Sequence, residues 1–169
     1  MKNLVFVFFL LPLLCFSQKT EKNKLSFDIT GGVYSNFKNW KENGITGGYE
    51  ISLNRKSIVY SANIIIGLGL SKNRINNDGY LQAFLESDLL IGKEFNLSKS
   101  ISIQPQIGIG YLHYTNHFQT EKKHLIGLPI QTKIIFFNQN DVSVGLIPRV
   151  NLNNTQNNYS LLFTVNIKS

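Results

Sequence analysis

The chain has 169 residues, 43% of them hydrophobic and only 16% charged, with a formal net charge of +7. That length fits one domain after removal of a leader, and so low a charged fraction, against roughly 25% in soluble domains, is unusual for a protein surrounded by water. The basic residues are scattered and no aromatic-basic motif appears, which argues against nucleic-acid binding and reads as surplus lysine in loops and turns.

The first residues read as an export signal. Met1-Lys2-Asn3 supplies a positive n-region, and Leu4 to Leu14 is an unbroken apolar run too short to cross a bilayer. Cys15-Phe16-Ser17 offers small residues for cleavage before Gln18, giving a signal peptide over 1–17 and a mature domain over 18–169. Leu13-Leu14 precede Cys15 where a lipoprotein signal carries Gly, Ala or Ser, so lipidation is not expected. Without Cys15 the mature chain has no cysteine, which excludes a disulfide and a thiol catalyst.

Eight stretches then alternate apolar and polar residues with period two, the pattern of a strand with two different environments on its faces. In chain order the apolar positions are Leu25 to Val33, Ile45 to Leu53, Ile58 to Leu70, Leu81 to Ile91, Ile101 to Tyr111, Ile126 to Phe136, Val142 to Val150, and Tyr159 to Ile167. Each stretch is roughly 9–13 residues, enough for a tilted strand to cross a bilayer. Longer polar links (Ser35 to Gly44, Ser71 to Gly79, Thr115 to His124, Asn151 to Asn158) alternate with shorter ones (Asn54 to Ser57, Lys93 to Lys99, Asn138 to Asp141). The expected fold is all-β: an eight-stranded antiparallel up-and-down transmembrane β-barrel.

Which face points outward separates this from a soluble barrel. The polar face carries Gly32, Gly48, Gly67, Gly69, Gly108, Gly110, Gly127 and Gly145 but few Lys or Glu. Glycine suits a crowded interior and is disfavoured on an exposed strand face, so the polar face is expected inside and the apolar face against lipid. Tyr49, Tyr60, Tyr111, Phe136 and Tyr159 are expected near the two membrane interfaces. Pro105, Pro129 and Pro148 conflict locally with a closed ladder and are expected at bulges or near a rim.

By parity Asp28, Glu50, Glu86 and Asp88 point inward from early strands, and Lys133 and Arg149 from late ones. Eight strands leave just enough room for side chains, so these residues are expected to form an interior ion-pair network with Gln82, Gln104, Gln106 and Gln131. A gated pore or proton path is the functional alternative for the same residues. His113, His117 and His124 fall at or beside the third long link, where three imidazoles could converge on a metal; no ligand spacing sharpens this, and no metal or cofactor is expected. Phe37, Trp40 and Lys41 give the first long link an aromatic-basic cluster suited to a glycan, a lipid headgroup or a protein partner.

The chain resembles the small outer-membrane β-barrel proteins of Bacteroidetes, related in architecture to OmpA- and OmpX-type barrels. The resemblance rests on Phe16-Ser17-Gln18, on Leu89-Leu90-Ile91-Gly92-Lys93-Glu94-Phe95-Asn96-Leu97 and on Pro105 to Tyr111. It implies the outer membrane of a Gram-negative bacterium, termini toward the periplasm, long links outside, and contact with outer-membrane lipid and lipopolysaccharide. The end, Ile167-Lys168-Ser169, departs from the aromatic finish common in such barrels. Eight-stranded lipid A deacylases place an outward His-x-Ser and an acidic partner near the outer rim; His113-Tyr114-Thr115 has threonine at the serine position. The expected role is therefore non-enzymatic, either envelope-structural or surface contact through the loops. A soluble lipocalin-like carrier is the second reading and a lipid-modifying enzyme the third.

Overall fold

A computed structural model of the protein describes residues 24–36, 42–72, 79–116, 122–138, 140–155 and 157–169. The expected leader over 1–17, the cluster Phe37, Trp40 and Lys41, and His117 lie outside these residues. Eight long strands form the wall: β1 (Lys24–Asn36), β2 (Glu42–Arg55), β3 (Ile58–Lys72), β4 (Gly79–Lys93), β5 (Ile101–Asn116), β6 (Lys122–Phe136), β7 (Val142–Asn153) and β8 (Asn158–Lys168). A two-residue strand, Phe95–Asn96, adds to β5 beyond the end of β4. Each long strand pairs antiparallel with the next, and β1 pairs with β8, closing an up-and-down barrel.

The period-two alternation places the two faces as expected. Ile126 is 73% exposed and Phe163 67%, and most other large apolar residues of the strands also face outward. Such a belt suits lipid, where the backbone is satisfied within the closed ladder. A lipocalin-like carrier would need that face inside around a ligand, so the carrier reading is overturned. The polar parity faces inward, and its glycines make room for neighbours. A Cβ on Gly67 would run into the ring of Phe84, and one on Gly69 into the hydroxyl of Tyr34.

The strands run further than the alternation indicated. β5 continues to Asn116 and β6 begins at Lys122, so His113 and His124 belong to strands rather than to a loop. β7 likewise continues to Asn153, leaving only 154–157 before β8. The rim carrying the connections 37–41, 73–78, 117–121 and 154–157 is called the loop rim. The opposite, turn rim carries 56–57, 94–100 and 137–141 together with the strand ends nearest both termini. With Phe95–Asn96 extending the ladder, the link before β5 at the turn rim is 97–100, so links at the two rims differ in length less than the alternation of long and short links suggested. The β2–β3 hairpin closes through Lys56 and Ser57 with φ of 51° and 68° and Arg55 opposite Ile58. Two consecutive positive φ values mark a type I′ turn, whose twist matches its strands.

The three prolines produce neither bulges nor changes of register. Each lies in a two-residue interruption of one ladder. Pairing between β4 and the Phe95–Asn96 extension skips Gln104-Pro105 on β5; pairing between β5 and β6 skips Leu128-Pro129; and pairing between β6 and β7 skips Ile147-Pro148. The register resumes unchanged after each gap. A residue without an N–H thus costs part of a ladder while the barrel stays closed. Among the interfacial aromatics, Tyr60 and Phe136 lie near the turn rim and Tyr159 at the loop rim, but Tyr49 sits mid-strand, stacked on Phe27 at 5.9 Å between ring centroids.

Candidate functional site

The lumen is filled by two buried ion clusters joined by a glutamine. Lys133 of β6 reaches across the barrel and donates to Asp28 Oδ2 of β1 at 2.7 Å and to Glu50 Oε1 of β2 at 2.8 Å. Asp28 Oδ1 also accepts from Thr164 and Asn166, both at 3.0 Å, and Glu50 accepts from Ser52 at 2.7 Å. Arg149 of β7 donates through Nη2 to Glu86 Oε1 and Asp88 Oδ2 of β4, each at 2.6 Å. Asn151 Nδ2 donates to the same Glu86 oxygen.

Gln131 joins the two clusters. Its Nε2 donates to Glu50 Oε2 at 3.0 Å and to Gln106 Oε1 at 2.6 Å, while its Oε1 accepts from Arg149 Nη1 at 2.8 Å. Gln106 continues the chain to Ser61, which shares a 2.8 Å hydrogen bond with Ser52. All six charged residues of the network are buried, and Lys133 is fully so. Desolvation on this scale is tolerated only when partners are close and the remaining lone pairs are met. One buried acceptor, Asp88 Oδ1, has no hydrogen-bond partner among the described residues; it lies over Gly110, where a Cβ would collide with it.

All six charged residues expected inside are there, and two of the four glutamines join their network. Gln82 instead accepts from the Tyr114 hydroxyl, and Gln104 lines a small cavity of about 40 Å³ near the turn rim. That mouth is closed by Lys168, whose Nζ donates to the Asn138 carbonyl at 2.6 Å, and by Asn138 donating to Glu94 at 3.3 Å. Sequence reasoning missed Ser52, Ser61, Asn151, Thr164 and Asn166 as network members, although inward parity marks all five.

It also missed an apolar plug. Tyr34, Ile65, Phe84, Leu112, Tyr114, Ile147 and Leu162 form one buried cluster inside the barrel. The Tyr34 and Phe84 rings meet edge to face at 4.9 Å, and Phe84 stacks with Tyr114 at 6.5 Å. These aromatics are near the loop-rim ends of their strands. Moving inward from that rim, the lumen passes from a mostly apolar plug to a paired polar core.

A second polar group occurs on the outer wall near the loop rim. His113 and His124 stand opposite each other across β5 and β6, with their Nδ1 atoms 3.3 Å apart. His113 Nε2 lies 3.3 Å from Thr115 Oγ1, and the Tyr111 hydroxyl contacts His124 Nδ1. Where the deacylase arrangement has an acidic partner, His113 thus faces another imidazole. Among the described residues no three His, Cys, Asp or Glu side chains converge on one point.

The closed barrel superposes on solved outer-membrane barrels. The first is Neisserial surface protein A (NspA), with a TM-score of 0.68 at 10% identity over 90% of this chain and 100% of that one. Ail, the attachment invasion locus protein of Yersinia pestis, in complex with the heparin analogue sucrose octasulfate, gives 0.60 at 9% identity, covering 88% and 100%. The N-terminal β-barrel domain of Pseudomonas aeruginosa OprF gives 0.54 at 9%, covering 89% and 100%. No protein-family model and no curated protein matches the sequence. The shared property is the architecture: a small, eight-stranded antiparallel barrel of the outer-membrane kind.

Proposed function

We propose that this chain is a non-enzymatic outer-membrane protein, of the Bacteroidetes type its sequence resembles, whose sealed barrel holds its loops at the cell surface. Its role is envelope-structural or surface contact. The observation that carries this reading is the filled lumen. An apolar plug near the loop rim and two buried clusters of paired charges fill the lumen between the described strands, which disfavours a porin or proton channel. The outer wall is committed to lipid, so the loop rim is the surface left to meet anything outside the cell.

Lys38, Lys41, Lys72, Arg74, Lys122 and Lys123 sit in or beside the connections of that rim, opposed by Glu42, Asp78 and Glu121. This basic surplus suits the phosphates of lipopolysaccharide or a polyanionic surface glycan. Ail, a barrel of the same architecture, has been solved with a heparin analogue, which supports the glycan reading. The test is binding of the folded full chain to immobilised heparin and to lipopolysaccharide vesicles. Residues 37–41 and, separately, 117–121 are shortened while heat-modifiable gel mobility is used to confirm a folded barrel. Salt-sensitive binding that falls at least tenfold when either connection is trimmed is the expected result. Undiminished binding by both trimmed barrels, or stepwise conductance by the intact protein in a planar bilayer, would overturn the proposal.

A further inference from the structure

We propose that one lipid A molecule docks on the outer wall across β3 to β6, with an acyl chain in an apolar hollow and a phosphate at His124. The site rests on the outer-membrane reading above and does not involve the loops. Cross-strand register lays it out in outward rows that run around the wall. Ile64, Ser87, Tyr111 and Ile126 are successive partners across β3, β4, β5 and β6. Two residues along each strand, about 7 Å, separate one outward row from the next. The row toward the turn rim is Ala62, Leu89 and Ile109. The row toward the loop rim is Ile66, Leu85, His113 and His124.

The hollow comes from differences in side-chain size within these rows. Ala62 and Ser87 are short and diagonal to one another on adjacent strands, and Ile64, Leu89, Ile109 and Tyr111 stand round them. The space is about 530 Å³ and almost wholly apolar, within the roughly 300–1,000 Å³ of small-molecule sites. A dent of this size in a wall bathed by hydrocarbon is filled by chain methylenes, because leaving it empty forfeits dispersion contacts on every lining atom.

Tyr111 joins the hollow to a polar end. Its ring lines the hollow, while its hydroxyl donates to His124 Nδ1. With Nδ1 as acceptor, the imidazole carries its proton on Nε2. His124 is exposed, and its Nε2 has no hydrogen-bond partner among the described residues. An unmet N–H on a lipid-facing wall is costly, and a phosphate oxygen satisfies it. His113, itself 3.3 Å from Thr115, packs 3.3 Å from His124 on the other side and holds the ring in place. Lys122 takes the register position opposite Thr115, one row nearer the loop rim on the outward parity of His124. A basic residue so placed complements an anionic headgroup.

The order of the two parts selects the occupant. A second barrel would offer the polar end only another apolar wall. A phosphorylated, acylated lipid meets both parts, its chain toward the midplane and its phosphate toward the rim. With the loop rim facing outward, the surrounding leaflet is the one built from lipopolysaccharide, whose membrane anchor is lipid A.

The experiment is native mass spectrometry of the detergent-folded full chain titrated with purified lipid A, with phosphatidylglycerol and phosphatidylcholine as comparison lipids. Each variant is first checked for heat-modifiable mobility. The parent should retain one lipid A per barrel at least tenfold more tightly than either comparison lipid. A62F/S87F fills the hollow from the lipid side, and H124F keeps a ring but removes the donor; each should weaken retention about tenfold or more. V165F, an enlargement on the outward face of β8, should stay within threefold of the parent. Shortening 37–41 should likewise leave lipid A retention within threefold while heparin binding falls, which separates this site from the loop reading. Comparison lipids held as tightly as lipid A, full retention by folded A62F/S87F or H124F, or loss through V165F or loop shortening would overturn the site.

Discussion

Replacing Lys133 with methionine removes the one cation shared by two buried carboxylates and keeps most of the side-chain volume. In the parent, its ammonium is held at 2.7 Å from Asp28 and 2.8 Å from Glu50, with the lysine side chain 1% exposed. Removing one partner from such an arrangement costs about 3–5 kcal/mol, because the charge left behind is neither solvated nor paired. The carboxylates would keep Thr164, Asn166, Ser52 and Gln131 as donors, which holds the loss toward the lower end. Even so, the folded-to-unfolded ratio should fall roughly hundredfold or more. Urea unfolding of the barrel in lipid vesicles, followed by far-UV circular dichroism and by heat-modifiable mobility, reads this directly. The triple variant D28N/E50Q/K133M removes the excess charge and should regain most of the stability. K133M within about 1 kcal/mol of the parent, or a triple variant no more stable than K133M, would refute the account of Lys133 as the neutralising centre of its cluster.

Three further outcomes follow from the same coordinates. R149E should destabilise the barrel by at least as much as K133M, since it sets a third carboxylate against Glu86 and Asp88; the double reversal E86R/R149E should recover only part of the loss in urea melts, because Asp88 then faces the new glutamate. G67A should cost about 1–3 kcal/mol by forcing the Phe84 ring out of place, and F84L should relieve most of that cost in the same assay. K56N/S57G should stabilise the barrel by about 1–2 kcal/mol, since both positions hold left-handed backbone with side chains that resist it; an unchanged urea midpoint would count against strain in that turn.

The architecture and the inward charges were legible because a closed barrel gives each strand one lipid face and one crowded face. Parity alone put Asp28, Glu50, Glu86, Asp88, Lys133 and Arg149 inside. It could not say which base takes which acids, since that depends on the tilt carrying each strand past its neighbours. Near the loop rim the rule inverts. From Leu112 to Thr115 the inward residues are the apolar Leu112 and the largely apolar Tyr114, and the outward ones are His113 and Thr115. There the alternation reads as an ending although the strand continues, which is why the sequence puts the histidines at or beside the third long link and hides the apolar plug. The proline gaps were hidden for a different reason: a one-sided interruption with unchanged register leaves no mark on the hydrophobic pattern.

The ion network also constrains the order in which this protein can be built. Asp28 and Glu50 enter with the first hairpin, yet their counter-ion is 105 and 83 residues further along the chain. Glu86 and Asp88 wait 63 and 61 residues for Arg149. A partly inserted sheet of early strands would carry four carboxylates into hydrocarbon with nothing to meet them. The nascent wall must therefore stay in contact with water or with a hydrophilic assembly surface until the later strands arrive. Completion of the ring and neutralisation of its contents then become one event, so a half-finished barrel has no stable place in the bilayer.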